Sequence, residues 1–141
     1  MRDHLARRAR FALVLGLLAV GVPAAATAAP RLRCHIDQGG TSQVVDFSPV
    51  ADPYAVQAIE INGRFRFKAV VIGDERRVQY VNLYTYFQTE RRLILLHEVK
   101  YAAPEVRPNP APDALTGRHF LYSPGREREF QFACALVEVA P

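Results

Sequence analysis

AVQAIEINGRFRFKAVVI, residues 55–72, decides the fold class. An Asn62-Gly63 pair stands between two runs rich in β-branched and aromatic residues, a strong short-range signature of a β-hairpin. A two-residue turn would set Glu60 opposite Phe65 and put Ile59 and Ile61 on the arginine face. A three-residue loop, Ile61-Asn62-Gly63, instead pairs Glu60 with Arg64, Ile59 with Phe65 and Gln57 with Phe67. That arrangement leaves one mostly apolar face and one charged face, and patterning of this kind sets register. The three-residue loop is therefore expected, with Gly63 in the left-handed position. Phe65, Phe67, Ala69 and Val71 then face the core, and Arg64, Arg66 and Lys68 face solvent.

The same alternation extends in both directions. Arg31–Asp37 places Leu32, Cys34 and Ile36 on one face and Arg33, His35 and Asp37 on the other. A Gln38-Gly39-Gly40-Thr41 turn leads to a short strand near Gln43–Phe47. Downstream, Gly73–Arg76 turns into a strand over Val78–Gln88, and Thr89–Arg92 turns into Leu93–Tyr101. Residues 102–117 break the pattern with Pro104, Pro108, Pro110 and Pro112. Spaced prolines favour an extended path without ladder hydrogen bonds, so this segment reads as a long ordered loop or strap. His119–Tyr122, a Ser123-Pro124-Gly125 turn and Arg128–Val139 complete the chain. No window shows a helical period. Seven or eight short antiparallel strands imply an all-β sandwich or small barrel, and the pattern does not separate the two.

Cys34 and Cys134 are the only cysteines. Parity puts Cys34 with Leu32 and Ile36, and independently puts Cys134 with Phe130, Phe132 and Leu136. Two cysteines on apolar faces of the first and last strands are expected to form a buried disulfide, given an oxidising compartment.

That compartment is read from the N-terminus. Met1–Arg10 carries Arg2, Arg7, Arg8 and Arg10, Phe11–Val22 is apolar, and Ala26-Thr27-Ala28 ends a run of small residues. This is the plan of an export signal, too short to be a membrane span. Residues 1–28 are expected to be removed, leaving 29–141 as one all-β domain with its 102–117 loop. The signal holds four arginines and one acid, so most of the formal net charge of +4 goes with it. The remaining basic residues are scattered beside acids, not clustered, so a nucleic-acid groove is not expected.

The chemistry that can be read is sparse. His35, His97 and His119 fall on three strands, with His35 outward and His97 aligned with Leu93, Leu95 and Val99 as a satisfied core histidine. This is not the close spacing of a metal site, and no cofactor is implied. Glycine-rich phosphate loops, nucleophile elbows and His-Glu-x-x-His are absent. Glu98 could approach Glu127 or Glu129, although such acids are usually solvated strand residues. The strand Val78–Gln88 is unusual because both faces are decorated. Val81, Leu83, Thr85 and Phe87 share one, and Tyr80, Asn82, Tyr84 and Tyr86 share the other. Those four are the candidate binding residues, since tyrosine combines rigid apolar area with a hydrogen-bonding tip. The alternative is that the tyrosines lie beneath the proline-rich strap.

The segments RLRCHID, INGRFRFKAVVIG and FQFACALVEVAP resemble small exported proteins of Gram-negative bacteria that have no assigned function. The resemblance implies an envelope location and a disulfide-tied β fold, and no activity. The chain is also comparable with exported lysozyme inhibitors, but it lacks their Ser-Gly-x-x-Tyr and Trp-x-Lys-Gly elements, so that activity does not carry over. The expected function is a non-enzymatic periplasmic or secreted module that binds a protein or envelope component. The alternative is a small barrel carrying an apolar ligand in a pocket lined by Phe65, Phe67, Leu83 and Phe130.

Overall fold

The alternation of apolar and polar residues becomes eight strands: β1 (Ala29–Gln38), β2 (Thr41–Phe47), β3 (Ile59–Ile61), β4 (Phe65–Gly73), β5 (Val78–Gln88), β6 (Leu93–Ala102), β7 (Arg118–Tyr122) and β8 (Glu129–Val139). They are seen in a computed structural model that describes residues 27–140. All but the last two residues of the expected export signal lie outside the described residues. Two four-stranded antiparallel sheets form, ordered β2-β1-β8-β7 and β3-β4-β5-β6. The arrangement is a β-sandwich, with inner side chains of both sheets making one core.

The core is built by the residues that parity selects. Leu32, Cys34 and Ile36 from β1 meet Phe65, Phe67 and Val71 from β4, Val81 and Leu83 from β5, and Phe130, Phe132 and Leu136 from β8. Phenylalanine rings bridge the sheets: Phe65 lies 5.1 Å from Phe130, and Phe67 lies 5.2 Å from Phe132, centroid to centroid. These tilted pairs are in the range where aromatic contacts add to simple burial. Cys34 and Cys134 stand directly opposite in the β1–β8 ladder, with Cα atoms 4.1 Å apart, and are joined as a disulfide. Such a close approach is that of a non-hydrogen-bonded pair. The Cys134 backbone groups therefore point away from β1, where β7 has not yet begun. Leu115 N–H and Thr116 N–H donate to the Cys134 carbonyl at 3.1 and 3.2 Å, and the Cys134 N–H donates to Thr116 Oγ1 at 2.8 Å.

The decisive hairpin has the expected three-residue loop, placed one residue later. Asn62-Gly63-Arg64 connects the strands, and Ile59 pairs with Phe67, Glu60 with Arg66 and Ile61 with Phe65. Asn62 and Gly63 both have positive φ, 51° and 65°, and the Arg64 N–H donates to the Ile61 carbonyl at 3.1 Å. Asn62 is also held from outside, since its Nδ2 donates to the Gln38 carbonyl and to Gln38 Oε1, both at 2.9 Å. The pairing moves by two residues, so the inward set is unchanged. The upstream strand is shorter than expected. Asp52 Oδ1 accepts from the Tyr54 N–H and caps a 3₁₀ turn over Pro53–Ala55, so β3 begins only at Ile59, which takes the place opposite Phe67 expected for Gln57. Val50 takes over the upper edge of β4, donating to Val71 and accepting from Gly73. At Gly73 an added Cβ would lie 2.2 Å from the Arg77 carbonyl oxygen, so the tight passage into β5 requires glycine.

Two further features correct the sequence reading. The β5–β6 ladder slips between Thr85 and Tyr86, so Thr85 faces His97 while Tyr86 faces Leu95. Leu96 is the extra residue of a β-bulge, which changes the side taken by the rest of the strand. His97 therefore shares the inner side with Val99, whereas Leu93 and Leu95 are exposed. The proline-rich strap, expected as a possible cover for the tyrosines, lies on the other sheet. Arg107, Pro108, Pro110 and Pro112 stand beside Arg33 and His35 of β1 and Ala135 and Val137 of β8.

Candidate binding face

Tyr80, Asn82, Tyr84 and Tyr86 project from β5 on one side, as their spacing dictates, onto the outer face of β4–β5–β6. All four are half-buried. Antiparallel pairing surrounds them with cations: Arg66 stands opposite Tyr86 and Lys68 opposite Tyr84 on β4, and Lys100 opposite Asn82 on β6. Lys100 Nζ lies 4.2 Å from the Tyr80 ring centroid and Lys68 Nζ lies 5.8 Å from that of Tyr84. Both distances fall within cation–π range. Tyr84 and Tyr86 stack along the strand with centroids 6.3 Å apart and ring planes 12° from parallel.

Hydrogen bonds fix this surface from within. Asn82 Nδ2 donates to Tyr84 Oη at 2.5 Å and to Glu98 Oε1 at 3.2 Å. Arg66 Nε donates to Gln88 Oε1 at 2.8 Å. Among the described residues, neither Arg66, Lys68 nor Lys100 has a carboxylate within ion-pairing distance. Burial, reinforced by the Glu98 carboxylate, pushes the Tyr84 and Tyr86 phenols up. Asn82 Oδ1 is buried without a partner. The arrangement offers a rigid aromatic stack flanked by Arg66, Lys68 and Lys100, with the Glu98 carboxylate beside Tyr84.

Among the described residues, no three His, Cys, Asp or Glu side chains converge. His35 is on the outer face of β1, as expected, while His97 and His119 meet where the edge strands β6 and β7 approach. Their ring centroids are 4.9 Å apart, and His119 stacks on Phe132 at 4.7 Å. His119 Nε2 bonds to the Thr116 carbonyl at 3.0 Å. His97 is not the satisfied core histidine the sequence suggests: its Nδ1 has no partner, nor has Thr85 Oγ1 opposite it. The sequence could place His97 inward but not show that His119, from the other sheet, would lie beside it. Glu98 and Glu129 lie on different sheets; Glu129 is engaged by Tyr122 and Gln131 and does not meet Glu98.

The histidine pair has a consequence for stability. Burial, together with the neighbouring His119, holds the His97 pKa below its ordinary value. The unfolded chain then binds more protons than the native one below about pH 6.5, and stability falls as pH falls through that range. The carboxylates of Asp37 and Asp46 are also held low, by the Ser42 hydroxyl and the Arg33 guanidinium respectively. They act with the same sign, but only in more acidic solution. Wild-type protein is expected to melt at a lower temperature at pH 5.5 than at pH 7.5. His97→Gln should remove most of that difference, whereas an unchanged difference would locate the proton uptake elsewhere.

The fold and its surface define a disulfide-tied antiparallel β-sandwich with an aromatic, cationic outer face. No protein-family model, curated protein or solved structure matches the chain. No helix among the described residues is long and apolar enough to cross a membrane.

Proposed function

We propose that the chain is an exported, non-enzymatic binding domain that holds a protein or cell-envelope component on the outer face of β4–β5–β6. One observation carries the reading: Tyr84 and Tyr86 form a stacked pair outside the strap, with lysines seated on the aromatic surface instead of on carboxylates. Buried tyrosine anchors ringed by polar groups are the usual energetic centre of an interface. Arg66, Lys68 and Lys100 form no direct ion pair and outnumber Glu60 and Glu98 on this face, which favours an acidic partner. The N-terminal signal pattern and the buried disulfide support a periplasmic or secreted location.

The apolar-carrier alternative has less support. Phe65, Phe67, Leu83 and Phe130 are fully buried and packed against one another, and none lines a surface cleft.

The test compares wild-type protein with the Tyr84→Ala/Tyr86→Ala double variant, recovered from the periplasm after in-cell cross-linking. Loss of a hot-spot pair should weaken capture by on the order of tenfold or more. Lys68→Glu should do the same by reversing the charge, with melting curves showing that each variant folds. A partner set unchanged by all three substitutions would remove this face from the function.

A further inference from the structure

A second site lies on the opposite side of the molecule, between the strap and the outer face of β1–β8. There a cleft of about 540 Å³ opens, within the range of small-molecule sites. Its floor is apolar, made by Ala135 and Val137, and Pro108, Pro110 and Pro112 form a wall of restricted backbone. Two guanidiniums line it, Arg33 from β1 and Arg107 from the strap, together with the His35 imidazole and the Glu138 carboxylate.

The two arginines stand in different states. Arg33 is already oriented, since Nε donates to Asp46 Oδ1 at 2.8 Å and Nη2 to Asp46 Oδ2 at 2.7 Å. A guanidinium carries five N–H donors, so three remain for another acceptor. Arg107 has neither an ion pair nor a side-chain hydrogen bond among the described residues. A rigid, partly apolar cleft with one fixed and one uncommitted guanidinium suits planar oxyanion recognition, which arginine performs bidentately. Anchoring of the strap on Cys134 through Leu115 and Thr116 keeps this wall close to the sheet.

We propose that this cleft binds a small oxyanion, a carboxylate or phosphate group, held between Arg33 and Arg107 over Ala135 and Val137. The site is independent of the tyrosine face, and failure of one leaves the other standing. The test follows amide resonances of the oxidised protein during titration with sodium phosphate and, separately, sodium succinate. Sodium chloride serves as the ionic-strength control. Saturable shifts at Ala135, Val137 and Arg107 are expected with at least one anion. Phosphate alone would assign a phosphate source, and succinate alone a carboxylate one. Arg107→Ala should weaken binding about tenfold or more, as expected for a lost charge-assisted hydrogen bond. Arg107→Lys should weaken it less, and Arg126→Ala, in a distant loop, should leave it unchanged. Absence of saturation with both anions at tens of millimolar, or equal saturation in Arg107→Ala, would overturn the proposal.

Discussion

Replacing both Cys34 and Cys134 by alanine is expected to lower the unfolding free energy by about 2–5 kcal/mol. The two residues are 100 positions apart, and closing a loop of that length restricts the unfolded chain by up to ~4.7 kcal/mol on entropy alone. Alanine is the appropriate replacement, because both positions are fully buried and serine would add a hydroxyl without a partner. The bond also joins the second and third strands of one sheet, where β1 and β8 pair over ten positions. The strap should loosen in consequence, since its anchor is the Cys134 backbone. Denaturant melts measure the first effect, and faster hydrogen exchange at the Leu115 and Thr116 amides measures the second. A loss below about 1 kcal/mol would mean that the ladder alone keeps the chain ends together and that the disulfide adds little.

Much of this architecture was legible because the side-chain period of a strand is simple. Cys34 and Cys134 could be placed on inner faces by parity without knowing that their strands are neighbours. Tyr80, Asn82, Tyr84 and Tyr86 could be placed together in the same way. Parity also survives an error of two residues, so the inward set of the Asn62-Gly63 hairpin was right although its loop begins one residue later.

Features that interrupt a strand were not legible. The extra residue at Leu96 leaves no composition signal, because Leu93, Leu95, Leu96 and Val99 fit either face. Only the paired ladder shows that Leu93 and Leu95 turn outward while His97 and Val99 face in. The choice between sandwich and barrel depended on the same region. The edge strands β6 and β7 meet through the His97 and His119 rings and belong to separate sheets, so no continuous ladder closes a barrel. The strap was recognisable as extended, but prolines carry no periodicity to say which sheet they cover. Arg33 and His35 could be read as outward, whereas nothing near Arg107 announced that it would lie beside them. The tyrosine face was readable as a list of residues; its cations required the cross-strand register.

Phe67→Ala is the second substitution expected to have a large effect, about 3–5 kcal/mol. Phe67 is fully buried and belongs to β4, yet it lies 6.1 Å from Phe47 of β2, 6.1 Å from Phe130 and 5.2 Å from Phe132, all on the facing sheet. Truncation would remove contacts on several sides and leave a void that fixed strands can fill only in part. For a small domain with about 5–15 kcal/mol of total stability, that loss is severe. Phe120→Ala, at a position 53% exposed on β7, should change stability by less than about 0.5 kcal/mol. The contrast also tests the interior directly. A barrel hollow enough to carry an apolar ligand would already lack dense contacts around Phe67, and its truncation would cost little beyond lost transfer energy. A Phe67→Ala penalty near 4 kcal/mol would require the tightly packed sandwich, in which the two sheets are held together chiefly by phenylalanine rings.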